Sequence, residues 1–400
     1  MHIERPAWPL PRPGQVLAEG GALYAGNALV AFLFACTGPL AIILAVGARG
    51  GLSESDIASW IFAGFFLNSL LTVAFSLLYR QPLVFLWSIP GSVLVGPALT
   101  HLSFAEVVGA FLATGVLMLL LGLSGWVRRA MEALPLPIVM AMVAGVFLRF
   151  GVDLVRAFGD ELWIALPMTA AFLALTALPR LGRRLPPLVG ALIVGALALW
   201  LLGAFKPAAG ALFGFARPNL YVPQFSWAAM VELVVPLAVT VLGVQNAQGI
   251  AILTANGHKP PINAITAGCG LGALVTGLAG AVSTCLTGPV TGVIATSGEK
   301  HRHYTAALFL AALGFAFGLL APFFTRLLLA TPPAFIATVA GLAMLRVLES
   351  AFTASFRDRY TLGALVCFLV TVADLPIFNI GAPFWGLVFG LAASRLLERR

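Results

Sequence analysis

Two stretches of this 400-residue chain repeat one arrangement of a hydroxyl and a proline. PLVFLWSIPGSVLVG places Ser88 two positions before Pro90, and VSTCLTGPVTGVIAT places Thr287 two positions before Pro289. Proline is accepted in the first turn of a helix, where its missing N–H costs no hydrogen bond. A Ser or Thr just before that turn is a good N-cap. Ser88 and Thr287 are therefore expected to cap helices that start inside the apolar chain. The first-turn amides and the positive dipole end of such helices suit an anion. Ile89, Pro90, Gly91 and Gly288 would be the backbone of that site, and Ser88, Thr287 and Thr291 would add hydroxyls.

A third stretch, VLGVQNAQGIAIL, carries Gln245, Asn246 and Gln248. Amides are costly against lipid, so these should face the interior. Two readings are open: they bond a substrate, or they join helices to one another. On a regular helix Gln245 and Asn246 point about 100° apart, so if Asn246 faces the site Gln245 need not. Trp87, beside Ser88, could wall off a ring or simply pack. Thr37-Gly38-Pro39 reads as a plain kink.

The elements that must position these residues are membrane spans. Charged residues make up 10% of the chain and hydrophobic ones 60%, against roughly 25% charged in soluble domains. Apolar segments of about 20 residues recur, each long enough to cross a bilayer core. Fourteen spans are expected: 22–47, 55–79, 84–101, 104–126, 134–155, 162–178, 187–205, 229–255, 261–281, 282–298, 304–328, 332–352, 359–373 and 377–394. With the N-terminus inside, sixteen of the 23 Lys and Arg fall on the cytoplasmic side, among them Arg128, Arg129, Arg180, Arg183, Arg184, Arg395, Arg399 and Arg400. Five fall outside (Arg49, Arg156, Lys206, Arg217 and Arg326), and Arg149 and Arg346 lie within spans. This positive-inside bias places both termini in the cytoplasm. The Pro-rich lead MHIERPAWPLPRPGQ has no signal-peptide pattern, and Trp8 suits an interface.

The halves echo each other. PIVMAMVAGVFLRFGVD from Pro137 matches PAFIATVAGLAMLRVLE from Pro333 at an offset of 196, and Asp153 falls on Glu349. Small residues at these spacings also suit close helix packing. The offset covers seven spans, an odd number, so the second half enters from the opposite side, as in many secondary transporters. Pro90 and Pro289 differ by 199, so the two proline breaks correspond. The residues before them, Leu83 to Trp87 and Val282 to Leu286, would be extended over roughly 16 Å. Each following half-helix would then begin near the midplane, and the two N-termini would face one small volume. Continuous proline-kinked helices are the alternative. The expected fold is thus an all-α polytopic membrane protein, a 7+7 inverted repeat with short strands leading into half-helices in segments 3 and 10.

Other classes find little support. The net charge of +8 is scattered between apolar runs and forms no nucleic-acid patch. Cys36, Cys269, Cys285 and Cys367 lack metal-type spacing, and no cofactor or metal is expected. His2, His101, His258, His301 and His303 read as interfacial, and Glu232 and Asp374 lie near span ends. No HExxH, GxSxG or paired in-span carboxylates suggest an enzyme, and no ring of charges suggests a channel.

YRQPLVFLWSIPGSVLVGPAL, GWVRR, AMVAGVFLRFGVD, VQNAQGIAILTANGHKPPINA and FWGLVFG, in this order over nearly the whole chain, resemble the benzoate/proton symporter family, BenE. The resemblance implies a bacterial inner-membrane carrier that imports benzoate with protons on a uracil-permease-like fold. The carboxylate would lie between segments 3, 8 and 10, with Trp87 enclosing the ring and Gln245 or Asn246 completing the polar shell. It also implies a cytoplasmic lead 1–21, a core of 22–126 and 229–328, and a gate of 127–228 and 329–400. A monomer and a homodimer are both allowed. The chain departs from the family's pattern at the tenth segment. Where the family commonly has a His and an Asn, this chain has Val282 to Cys285 followed by TGPVTG. That widens the expected substrate from benzoate to small organic carboxylates. A carrier of an inorganic anion or a nucleobase on the same fold is the alternative, though a nucleobase would want an acid in the eighth span.

Overall fold

The computed structural model describes residues 3–6, 9–127, 129, 135–178, 185, 187–206, 213–295, 298–357, 359–375, 377 and 382–398. His2, Trp8, Arg128, Arg180, Arg183, Arg184, Arg399 and Arg400, and the side chain of Arg346, lie outside the described residues. The helices are α1 (Pro13–Glu19), α2 (Ala22–Cys36), α3 (Gly38–Arg49), α4 (Glu54–Tyr79), α5 (Ile89–Ala98), α6 (Phe104–Ser124), α7 (Leu136–Asp160), α8 (Leu162–Ala177), α9 (Pro187–Leu202), α10 (Trp227–Ala255), α11 (Ile262–Leu278), α12 (Gly288–Ala295), α13 (His303–Leu319), α14 (Ala321–Leu329), α15 (Pro333–Phe356), α16 (Thr361–Ala373) and α17 (Ala382–Leu397). Two strands interrupt them, β1 (Phe85–Trp87) and β2 (Thr284–Leu286).

Local chemistry sets many of these limits. Ser53 and Ser103 each open a capping box, with Asp56 and Glu106 as the reciprocal partners. These boxes satisfy two otherwise orphaned amides at the start of α4 and α6. Prolines stand in the first turn of α3, α5, α7, α14 and α15. The Thr37-Gly38-Pro39 break is a kink between α2 and α3, and Thr37 Oγ1 donates back to the Phe34 carbonyl at 2.9 Å. A Cβ on Gly38 would lie 2.1 Å from Ala343 Cβ, so only glycine lets α3 start against α15.

Among the described residues, six helical stretches are long and apolar enough to cross a bilayer, Ala22–Arg49 and Trp227–Ala255 among them. Shorter apolar helices of 10–17 residues accompany them. The expected eleventh span, 304–328, is corrected. Helix α13 stops at Leu319 and α14 follows as a separate helix, bent 111° against the start of α15. Pro322 in the first turn of α14 supports this restart, since proline cannot continue the ladder of α13.

Two packing groups emerge. In one, α6 lies on α11 and α13 on α2 and α4; in the other, α7 lies on α15 and α16, and α8 on α9. The α6–α11 contact is backbone to backbone: a Cβ on Gly270 would stand 2.4 Å from the Leu119 amide nitrogen. Gly270→Val should therefore force the two helices apart, at a cost of about 1–3 kcal/mol. A fall in the melting midpoint of the purified protein checks this.

Where α10 ends, His258 Nε2 lies 3.1 Å from Nδ1 of His303, and both rings are buried. Burial, and then the charge of His303 and of Lys300, lowers the His258 pKa to about 4. The unfolded chain takes up this proton near its ordinary value of roughly 6.5, and the folded chain only at a lower pH. The stability is therefore whole above that value and is lost as pH falls toward about 4. His258→Gln should lose less thermal stability than the wild type between neutral and mildly acidic pH.

Candidate functional site

The two proline breaks are strand-then-helix elements. β1 pairs antiparallel with β2 in the register Phe85–Leu286, Leu86–Cys285 and Trp87–Thr284. The ladder extends by one bond at each end: the Ser88 amide donates to the Ser283 carbonyl at 2.9 Å, and the Thr287 amide to Val84 at 3.1 Å. Adding 199 to a β1 residue gives its counterpart in β2, so Leu86 pairs with its own counterpart, Cys285. The other pairs, and the two end bonds, exchange under the same shift. The ribbon thus has local two-fold symmetry centred on Leu86 and Cys285.

Two outward-facing amides of the ribbon, those of Phe85 and Leu286, are taken up by neighbouring side chains. Thr72 Oγ1 on α4 accepts from the Phe85 amide at 2.9 Å. Asn246 Oδ1 on α10 accepts from the Leu286 amide at 2.8 Å, and its Nδ2 lies 3.5 Å from Cys269 Sγ. Ser76 Oγ donates to the Leu83 carbonyl, and Thr284 Oγ1 to Asn68 Oδ1 at 2.8 Å. Asn68, Thr72 and Ser76 are thus scaffold residues that sequence reasoning missed; their only sequence signal is a polar i, i+4, i+8 stripe on one face of α4.

Ser88 caps α5 as expected, its hydroxyl accepting from the Gly91 amide at 3.1 Å. Thr287 takes the corresponding place before α12, where its carbonyl accepts from the Thr291 amide. Pro90 and Pro289 have no N–H, and the Ser92 amide is taken by the Ser88 carbonyl. Among the described residues this leaves the Ile89 amide on α5 without a protein partner, and the Gly288 and Val290 amides on α12. Thr291 Oγ1, Gln245 Oε1, Trp87 Nε1 and Ser283 Oγ are also buried without one.

The structure alters the expected arrangement in two ways. First, Asn246 holds the ribbon, while Gln245 keeps the unused oxygen. Residues 240–246 form a π-turn, which breaks the 3.6-residue register behind the sequence argument. Gln248 lies against the start of α12: a Cβ on Gly288 would meet its amide oxygen at 2.4 Å. Second, the caps do not share one point. Ser88 stands opposite Ser283, four residues before Thr287, so the caps are about 13 Å apart along the ribbon. Gly91 is packed, with Leu237 3.1 Å from where its Cβ would be. Trp87 is buried against Phe65, ring centroids 4.8 Å apart. Cys285 is wholly buried at the centre of the ribbon.

A strand-paired, two-fold arrangement of broken helices over a chain this apolar is the frame against which known proteins can be compared. Residues 18–396 match the family described as BenE, benzoate membrane transport protein. The chain belongs to the BenE family. It is 30% identical over 374 residues to the inner membrane protein YdcO of Escherichia coli K12, covering 90% of this chain and 92% of that one. It is 27% identical over 376 residues to the benzoate membrane transport protein of Acinetobacter baylyi, covering 92% and 93%. The transmembrane domain of the cyanobacterial bicarbonate transporter BicA superposes with a TM-score of 0.63 at 16% identity, over 96% of this chain and 99% of that one. The murine anion transporter Slc26a9, inward-facing, gives 0.64 at 15% identity, over 99% and 73%. These two likenesses show the fold, that of a helical membrane transporter.

In this BenE chain a cavity of about 240 Å³ opens between α3, α5, α7 and α16. It runs down one face of α5 from Pro97 to Val93, one turn short of Ile89. His101 and Arg156 line its mouth, and His101 Nε2 lies 2.8 Å from Oε2 of the buried Glu232. The sequence left His101 and Glu232 as separate span-end residues.

The two amides of α10 should separate on mutation. Asn246→Ala strands the Leu286 amide and should cost about 1–3 kcal/mol of stability. Gln245→Ala should leave the melting midpoint nearly unchanged while lowering substrate affinity. Melting curves and binding measurements on both variants check this.

Proposed function

We propose that this protein is a secondary transporter that imports a small aromatic carboxylate, benzoate first among them, together with a proton. The observation that carries this reading is the first turn of α12. The buried Gly288 and Val290 amides, on either side of Pro289, have no backbone partner there, and the Thr291 hydroxyl is buried without one. Such donors at a helix N-terminus are an anion site, and leaving them unmet inside a membrane is expensive. With the caps about 13 Å apart, a single carboxylate bonds at one helix start only. α12 offers two free amides against one on α5, so the carboxylate rests on α12. The ring then extends along the ribbon toward Ile89 and Trp87, with Gln245 on the polar side.

In this reading the chain makes fourteen membrane segments in a 7+7 inverted repeat, with both termini in the cytoplasm of a bacterium. The core comprises 22–126 and 229–328, and the gate 127–228 and 329–400. The two packing groups support that division. Movement of core against gate carries the site from one side to the other. The membership in BenE and the named activity of the Acinetobacter relative favour benzoate. The tenth-segment sequence Val282 to Cys285 keeps other small carboxylates in view.

Labelled benzoate uptake into proteoliposomes, with and without an acid-outside pH gradient, tests the reading against a panel of small anions and uracil. Benzoate accumulation driven by the gradient is expected. Movement of chloride, sulfate or uracil without benzoate would refute it. Thr291→Val should raise the apparent KM about 10-fold or more, the loss of one hydrogen bond to a charged group. Ser88→Ala should chiefly cost stability through the lost cap.

A further inference from the structure

The cavity beside α5 carries more positive than negative charge. Arg49 Nη2 on α3 donates to Asp153 Oδ2 on α7 at 2.7 Å, and Arg156 Nη1 stands 3.7 Å from the other oxygen of the same carboxylate. Arg149 donates to Asp374 Oδ2 at 2.7 Å. Three guanidiniums therefore face two carboxylates, and Asp153 is shared between two of the three. A guanidinium presents five donors in a fixed fork, more than one shared carboxylate can occupy. Arg156 is 72% exposed in its side chain and Arg49 44%, so both keep donors open to an incoming anion. His101 lines the mouth, and its Nε2 lies 2.8 Å from the buried Glu232 behind it. Along the same helices the lining is also apolar, formed by Val46, Val146 and Phe150, with Val93 on α5. Guanidiniums and apolar side chains in one lining, around about 240 Å³, fit a small ring bearing one carboxylate.

We propose that this cavity is a second, outer binding station for a small aromatic monocarboxylate. The carboxylate is held by Arg49 and Arg156 and the ring rests on Val46, Val93 and Phe150. The station rests on the function proposed above for its ligand class and for which side is outside. Asp153 is its built-in competitor: it occupies the guanidiniums in the empty state, and the ligand must displace it. In the division proposed above Arg49 lies in the core and Asp153 in the gate, so displacement also undoes an ionic link between the two. From this station the ligand has one turn of α5 to travel, from Val93 to Ile89.

Equilibrium binding of labelled benzoate to the full chain in lipid nanodiscs tests this, at low and high salt, for wild type, Arg156→Gln, Asp153→Asn and Thr291→Val. The station predicts opposite signs for the first two variants. Arg156→Gln should weaken the salt-sensitive part of binding about 5-fold, and Asp153→Asn should strengthen it about 3-fold. Thr291→Val should lower the salt-insensitive part and leave the other. Binding that Thr291→Val weakens but that Arg156→Gln and Asp153→Asn leave unchanged overturns the outer station and spares the inner site. Weakening by both cavity variants also overturns it, because a purely structural salt bridge behaves that way. No benzoate binding by the wild type overturns both readings.

Discussion

The backbone pairing of Leu86 with Cys285 is the constraint on which the rest depends. Extended backbone inside a membrane must find every hydrogen bond within the protein. Here two three-residue strands, 199 positions apart, satisfy each other across a two-fold centre. Alternate amides of a ribbon point away from the partner strand, so the pairing creates a second demand. Thr72 and Asn246 meet it for Phe85 and Leu286. Helices α4 and α10 are therefore tied to the ribbon by chemistry as well as by packing. Each such bond, made in a low-dielectric interior, rigidifies the ribbon's surroundings.

The ribbon also fixes what the helix starts can do. Antiparallel strands send α5 and α12 off in opposite directions from opposite ends, so the two positive helix ends stand apart along the ribbon and do not converge on one atom. A separation of about 13 Å suits, in the proposed reading, a molecule with length: an acid group at one end and an apolar body toward the other. Two unmatched amides and a hydroxyl at α12, set against the buried Trp87 near α5, give the ribbon that polarity. The cavity beside α5 repeats the same pairing of charge and apolar wall closer to solvent.

Much of this was legible in the sequence, and the reasons for the remainder are specific. Ser88 and Pro90 announce a capped helix start because each residue type has one local job. The recurrence of that pattern at Thr287 and Pro289 locates its counterpart. Strand pairing was not legible, since three residues are too short to show a period and the partner is remote. The exchange of roles between Gln245 and Asn246 was hidden by the π-turn over 240–246, because angular arguments assume a regular helix. Pro322 was visible, but the end of α13 at Leu319 was masked by continuous hydrophobicity through Leu329. The ionic cavity joins Arg49 to Asp153 and Arg149 to Asp374 across 104 and 225 positions. No local pattern links such residues.

The most direct test of this account is to locate a bound ligand by its own signal. Anomalous scattering from crystals soaked with 4-bromobenzoate would place the bromine, and difference density would place the carboxylate. The account predicts a carboxylate within hydrogen-bond distance of the Gly288 and Val290 amides and a bromine toward Ile89 and Trp87, alongside the strand ribbon. A ligand lodged away from both helix starts, with ordered side chains filling the gap between Ser88 and Thr287, would contradict it.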